Sequence, residues 1–147
     1  MTIIIDANIL ISGIINPFGT IPELILLKNN KTDFVLPEYA IEEIALHKSK
    51  ICRLAQISSA QFEQILDSFL SYVLCFSAEV VSKQDIVTAE KLVASIDEKD
   101  AWYVAFAVAL NALLWTGDIK LYKGLRKKGF MNVVTTSEME EIIKGLK

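Results

Sequence analysis

Apolar residues run along this chain in two alternating patterns. Short runs rich in branched or aliphatic side chains fall at residues 2–5, 33–36, 73–76, 112–115 and 133–134, and are predicted as five strands. Between them lie stretches with helical spacing or helix-end signals. Residues 9–15 form a short helix closed by Asn16-Pro17. Pro22 fits the first position of a helix ending near Lys28. Pro37 opens a helix through about Ala55, and Ser58-Ser59 read as the cap of the next, reaching about Tyr72. Residues 82–95 are amphipathic, with Ile86, Ala89, Leu92 and Val93 on one side. Residues 98–111 form a very apolar helix and 119–128 a basic one. Thr136 or Ser137 caps a last helix over residues 138–145.

Strands alternate with helices throughout, which predicts an α/β fold with a parallel sheet covered on both faces. In such sheets ligands bind beyond the carboxyl ends of the strands, where strand order reverses. Asp6 follows the first strand and Asp118 the fourth, so the two share one crevice if those strands flank the reversal. The length of 147 residues fits a single domain, residues 1–147, with a sizeable core. No internal repeat or low-complexity tract interrupts it.

Composition narrows the chemistry. Hydrophobic residues make up 52% of the chain and mean hydropathy is +0.39. The longest uncharged run, residues 101–117, has 17 residues. A membrane-spanning helix needs about 20, so this run reads as a buried helix followed by a buried strand, with no membrane partner. No basic stretch or cleavage site marks a signal peptide, and a cytoplasmic protein is expected. Cys52 and Cys75 lack the spacing of a metal or redox pair and suit a reducing cytosol. His47 is the one histidine, which argues against zinc chemistry and against a histidine base. Carboxylates are the remaining source of catalysis. The net charge of −3 argues mildly against nucleic-acid binding unless acids gather in one site with bases beside it.

Each acid has a bland reading and a functional one. Asp6 and Asp118 suit helix N-caps, and Gly117 permits a tight exit from the fourth strand. Asp97 and Asp100 lie three residues apart in a first helical turn, where acids suit the helix dipole. Yet Asp100 directly precedes the core run Ala101-Trp102-Tyr103-Val104, and an acid there is costly unless paired or bound to a cation. Glu42 and Glu43 fall on opposite shoulders of their helix, and periodicity does not choose between them. His47, four residues after Glu43, reads as structural or solvated. Converging carboxylates repel one another unless a hard cation such as Mg²⁺ or Mn²⁺ neutralises them, and such an ion can activate water for phosphodiester hydrolysis.

After Asp118 come Lys120, Lys123, Arg126, Lys127 and Lys128, five bases within eleven residues. They form either a solvated helix face or a flank that holds the backbone of a polyanion. Lys120, two residues from Asp118, is the base expected nearest a scissile phosphate, with Lys123 beside it.

Four stretches together resemble the PIN-domain ribonucleases: Ile3-Ile4-Ile5-Asp6-Ala7-Asn8-Ile9-Leu10, Pro37-Glu38 through Glu42-Glu43-Ile44, Asp97-Glu98-Lys99-Asp100-Ala101, and Trp115-Thr116-Gly117-Asp118 with Lys120-Leu121. They stand in the family's order, and the first and last are the most specific. The resemblance implies a three-layer α/β/α sandwich with a central parallel sheet. It implies a Mg²⁺- or Mn²⁺-dependent ribonuclease site made of Asp6, Glu43, Asp100 and Asp118. Asp6, Asp100 and Asp118 are then metal ligands, Asp97 is an accessory ligand, and Asn8 and Thr116 are supporting polar residues. Glu43 is preferred over Glu42 because it directly precedes Ile44. Many small members of the family are toxins of toxin–antitoxin pairs and many dimerise, so RNA, an antitoxin and a second copy of the chain are the implied partners.

Two rivals stand against this reading. A non-cleaving PIN-like module would bind RNA or protein; retention of all four acids disfavours it. A signalling receiver domain wants paired acids near strand one and an Asp after strand three, where this chain has only Asp6 and Ser77-Ala78-Glu79.

Overall fold

The computed structural model describes residues 1–27 and 31–145. Five strands form one parallel sheet: β1 (Thr2–Ile5), β2 (Asp33–Pro37), β3 (Leu74–Phe76), β4 (Leu113–Trp115) and β5 (Val133–Val134), in the order β3-β2-β1-β4-β5. The order reverses between β1 and β4, the arrangement on which a shared crevice for Asp6 and Asp118 depends. Their register pairs Ile3 with Leu113, Ile4 with Leu114 and Ile5 with Trp115. Successive strand residues point to opposite faces. Ile3, Ile4 and Ile5 are all fully buried, so both faces of β1 are covered.

Nine α-helices among the described residues provide that cover: α1 (Ala7–Ile15), α2 (Thr20–Leu26), α3 (Glu38–Leu46), α4 (Lys48–Ala55), α5 (Ser59–Leu70), α6 (Lys83–Val93), α7 (Ala101–Ala109), α8 (Ile119–Lys127) and α9 (Thr136–Gly145). α1 packs with α2, α3, α4 and α5, while α6 packs with α7 and α8. The architecture is an α/β/α sandwich. Each buried Ile, Leu or Phe of this core contributes about 1.5–3 kcal/mol over its exposed state. No single helix among the described residues is long and apolar enough to cross a membrane.

The structure corrects several expected boundaries. Pro22 lies in the first turn of a helix that starts at Thr20, and a first turn tolerates its missing N–H. The expected end at Lys28 lies outside the described residues. The helix expected from Pro37 to Ala55 is two helices, α3 and α4. His47 separates them with φ −98° and ψ 9°. The apolar helix begins with a 3₁₀ turn at Glu98–Asp100 and ends before Asn111, whose φ of 48° is left-handed. Neither Thr136 nor Ser137 caps α9. Thr135 does: its hydroxyl accepts from the Glu138 N–H at 3.2 Å, and its own N–H donates to Glu138 Oε1 at 3.1 Å. Gly117 keeps room for a Cβ, whose nearest contact would be Ile9 Cδ1 at 3.8 Å, so no tight exit requires glycine there.

Candidate active site

β1 and β4 end side by side, and each releases an acid. The Asp6 N–H donates to the Trp115 carbonyl at 3.3 Å, which fixes where the chain leaves β1. Asp6 then caps α1, with Oδ1 accepting from the Asn8 N–H at 3.0 Å. Its Oδ2 accepts from the Thr116 hydroxyl at 3.1 Å. Thr116 is buried and its Oγ1 also accepts from the Asp118 N–H at 3.1 Å. Asp118 caps α8 through Oδ1, which accepts from the Leu121 N–H at 3.1 Å. Thr116 therefore joins the two acids through one hydroxyl. The capping and site readings of Asp6 and Asp118 describe the same placement, because a cap aims its carboxylate at the strand edge. Asn8 meets Asp6 only through its backbone N–H among the hydrogen bonds of the described residues; its side chain is exposed.

The other acids approach from two further elements. Glu43, on α3, is half-buried, and Glu42 is exposed. Glu43 Oε1 accepts the Tyr103 hydroxyl at 3.3 Å. Asp100 stands at the start of α7, and its Oδ2 is buried without a hydrogen-bond partner. Asp97 caps the preceding 3₁₀ turn, accepting from the Lys99 N–H at 3.0 Å, and is exposed.

Electrostatics ties these positions together. Burial, then the charges of Asp6, Asp97, Asp118 and Glu43, push the Asp100 carboxyl up to about 7. Burial also raises Asp6, against the lowering effect of its bonds from Asn8 and Thr116 and with a further push from Asp118. Glu43 is raised by burial first; Tyr103 and His47 oppose this, and Asp6 adds to it. No cation is among the leading influences on Asp6 or Asp100. Asp100 thus stands within electrostatic reach of the other four acids predicted from sequence, Asp6, Glu43, Asp97 and Asp118.

A hard divalent cation fits this set in two respects. The donors are carboxylate oxygens, the type that Mg²⁺ and Mn²⁺ prefer, and the partnerless Asp100 Oδ2 has lost water without gaining a bond. The geometry is open, however. Among the described residues, no three His, Cys, Asp or Glu side chains are gathered closely enough to hold a metal ion as they stand.

The bases of α8 divide by use. Arg126 pairs with Glu138 at 3.2 Å, donates to the Val133 carbonyl at 3.1 Å and stacks 4.8 Å from the Tyr122 ring centre. Lys128 donates to the Lys91 carbonyl at 3.2 Å. These two hold α8 in place. Lys120 and Lys123 are exposed and form no ion pair among the described residues. A groove of about 660 Å³ opens between α6 and α7. Val87, Trp102, Ala101 and Glu98 are among its lining residues, so it borders the turn that carries Asp97 and Asp100.

Sequence reasoning missed Tyr103. It is buried, its ring lies 5.0 Å from that of Tyr39, and its hydroxyl accepts from the Ala7 N–H at 3.3 Å while donating to Glu43. A signal was present: Tyr103 follows Asp100 by three residues, on the same helix face. A tyrosine in a core run also needs a partner for its hydroxyl.

Fold and site define an α/β domain with several acids at the reversal point of a parallel sheet. The family model described as "PIN domain" matches residues 4–142, and the chain belongs to that family. Among solved structures, it is similar to VapBC2 from Rickettsia felis, solved bound to a DNA fragment from their promoter. That match has 20% identity and a TM-score of 0.64, covering 92% of this chain and 97% of the other. At that identity the likeness speaks for the fold. No curated protein matches the chain.

Proposed function

We propose that this chain is a metal-dependent ribonuclease, a single cytoplasmic PIN-like domain that acts as the toxin of a toxin–antitoxin pair. The observation that carries the reading is Asp100, a half-buried acid with a partnerless oxygen, under the charges of four other acids at the sheet's reversal point. Asp6, Asp100 and Asp118 would hold Mg²⁺ or Mn²⁺, with Asp97 as an accessory ligand. The bound cation would neutralise the acids and supply Lewis-acid activation of water and of the leaving oxygen. Thr116 keeps Asp6 and Asp118 at a fixed separation, and Glu43 orients the attacking water. Lys120 and Lys123, exposed beside Asp118, contact RNA phosphates. The groove between α6 and α7, with Trp102 and Val87 exposed, supports an apolar partner such as an antitoxin segment or a second copy.

Purified protein incubated with structured and single-stranded RNAs is expected to cut in Mn²⁺ and to stop in EDTA. Cleavage that continues in EDTA would refute metal dependence. The open geometry of the acids favours one alternative, a non-cleaving module that holds RNA or protein. Retention of RNA with no cleavage in Mn²⁺ would select it.

Replacing Lys120 and Lys123 by alanine is expected to weaken RNA binding most at low salt. By counterion release on single strands, the slope of log K against log salt should fall by about 0.7 per lost phosphate contact. An unchanged slope, read by fluorescence anisotropy across a salt series, would remove this pair from the interface.

A further inference from the structure

We propose that Tyr103 is a positioning residue: its hydroxyl holds Glu43 Oε1 and thereby presents Oε2 to the attacking water. The proposal rests on the ribonuclease reading for what that water does, and on the geometry alone for the link to Glu43.

A tyrosine hydroxyl has one proton. The Ala7 N–H can only donate, so at 3.3 Å the Tyr103 oxygen is its acceptor. The single proton is then free for Glu43 Oε1, also at 3.3 Å. These two bonds join three segments. Ala7 follows Asp6 directly, Glu43 lies on α3, and Tyr103 shares a face of its helix with Asp100. One hydroxyl thus connects the backbone beside Asp6, the Asp100 helix and the side chain of Glu43.

The ring does not need the hydroxyl to keep its place. Tyr103 is buried and packs against Tyr39 at 5.0 Å with planes tilted by 55°. Phenylalanine would fill the same space. Burying a hydroxyl costs free energy unless it is bonded, and here the return is a fixed carboxylate. Both contacts are long, and bonds of this kind tighten when a site closes on its substrate. With Oε1 held, Glu43 cannot turn its carboxylate freely, and Oε2 is left to face the reaction. Among the hydrogen bonds of the described residues, no other group holds this carboxylate.

The test combines Tyr103→Phe, Glu43→Gln and the double variant. Tyr103→Phe is expected to lower kcat about tenfold, the usual cost of removing a group that orients a site residue, with KM for RNA unchanged. In the Glu43→Gln background the same change should cost nothing further. Losses that multiply, or an unchanged kcat in Tyr103→Phe, would overturn the proposal. A second readout does not depend on activity. In protein labelled with ¹³C at tyrosine Cζ, the Tyr103 resonance is expected to move in Glu43→Ala, which removes the acceptor of its hydroxyl; an unmoved resonance would also overturn it. If the wild-type protein cuts no RNA, the nuclease reading fails, and the Cζ signal alone decides whether Tyr103 holds Glu43.

Discussion

Asp6→Asn is expected to lower metal-dependent RNA cleavage by about 10³-fold, equivalent to roughly 4 kcal/mol of transition-state stabilisation. The fold should survive it. The substitution keeps the size of the side chain, and its amide oxygen can still accept from the Asn8 N–H, as Oδ1 does at 3.0 Å. The new NH₂ can donate to Thr116, whose hydroxyl now donates to Oδ2 at 3.1 Å. What disappears is the negative charge and its affinity for a cation. Burial raises the Asp6 carboxyl above its ordinary range, so the charge opposes folding in the absence of metal. Metal-free Asp6→Asn should therefore melt at or above the wild-type temperature while being inactive. Wild-type cleavage by the variant would sink the site assignment. Lost activity together with lost helical circular dichroism would make the residue structural.

The second large effect is on stability. Asp100 has its carboxyl pushed up to about 7, by burial first and then by Asp6, Asp97, Asp118 and Glu43, from an ordinary value of 3.8. The folded state therefore holds a proton that the unfolded chain releases. The resulting stabilisation is fully present below about 3.8 and is lost as pH rises through about 7. Asp6 and Glu43 shift in the same direction and add to it. Thermal unfolding in EDTA should give a lower Tm at pH 8 than at pH 5. Asp100→Asn should flatten that difference, both by removing this group and by relieving the acids that it repels. Mg²⁺ should raise the wild-type Tm more at pH 8 than at pH 5, because it competes with the proton for the same oxygens. Equal rises at both pH values would remove Asp100 from the set of ligands.

The fold was legible because its strands are nearly pure apolar runs. Residues 2–5 and 33–36 could be little else, and their alternation with helices required a parallel sheet. The break at His47 left no local mark, since neither glycine nor proline stands there. α4 turns away to pack against α1 and α5, and that demand is tertiary. The cap of α9 was misread among the run Thr135-Thr136-Ser137, although Glu138 selects the threonine three residues before it. In the candidate site, Asp6, Asp97, Asp100 and Asp118 were visible as candidates because each sits where a strand ends or a helix begins. Glu43 was not separable from Glu42 by periodicity; the burial of one shoulder of α3 separates them. Tyr103 stayed hidden because its ring obeys the core pattern and only its hydroxyl departs from it.

The pairing of β1 with β4 has a consequence for the protein's birth. Ile3 and Leu113 are partners across more than a hundred residues of chain. While a ribosome is still making the chain, Asp6, Glu43 and Asp100 emerge without Asp118, and β1 has no neighbour on that side. The sheet acquires its β4 edge and the fourth acid in the same short segment, residues 113–118. Register permits no halfway arrangement, because a slip of one residue would turn Trp115 to the opposite face of the sheet. An unfinished or misthreaded copy therefore carries an incomplete set of carboxylates at the point where the strand order reverses.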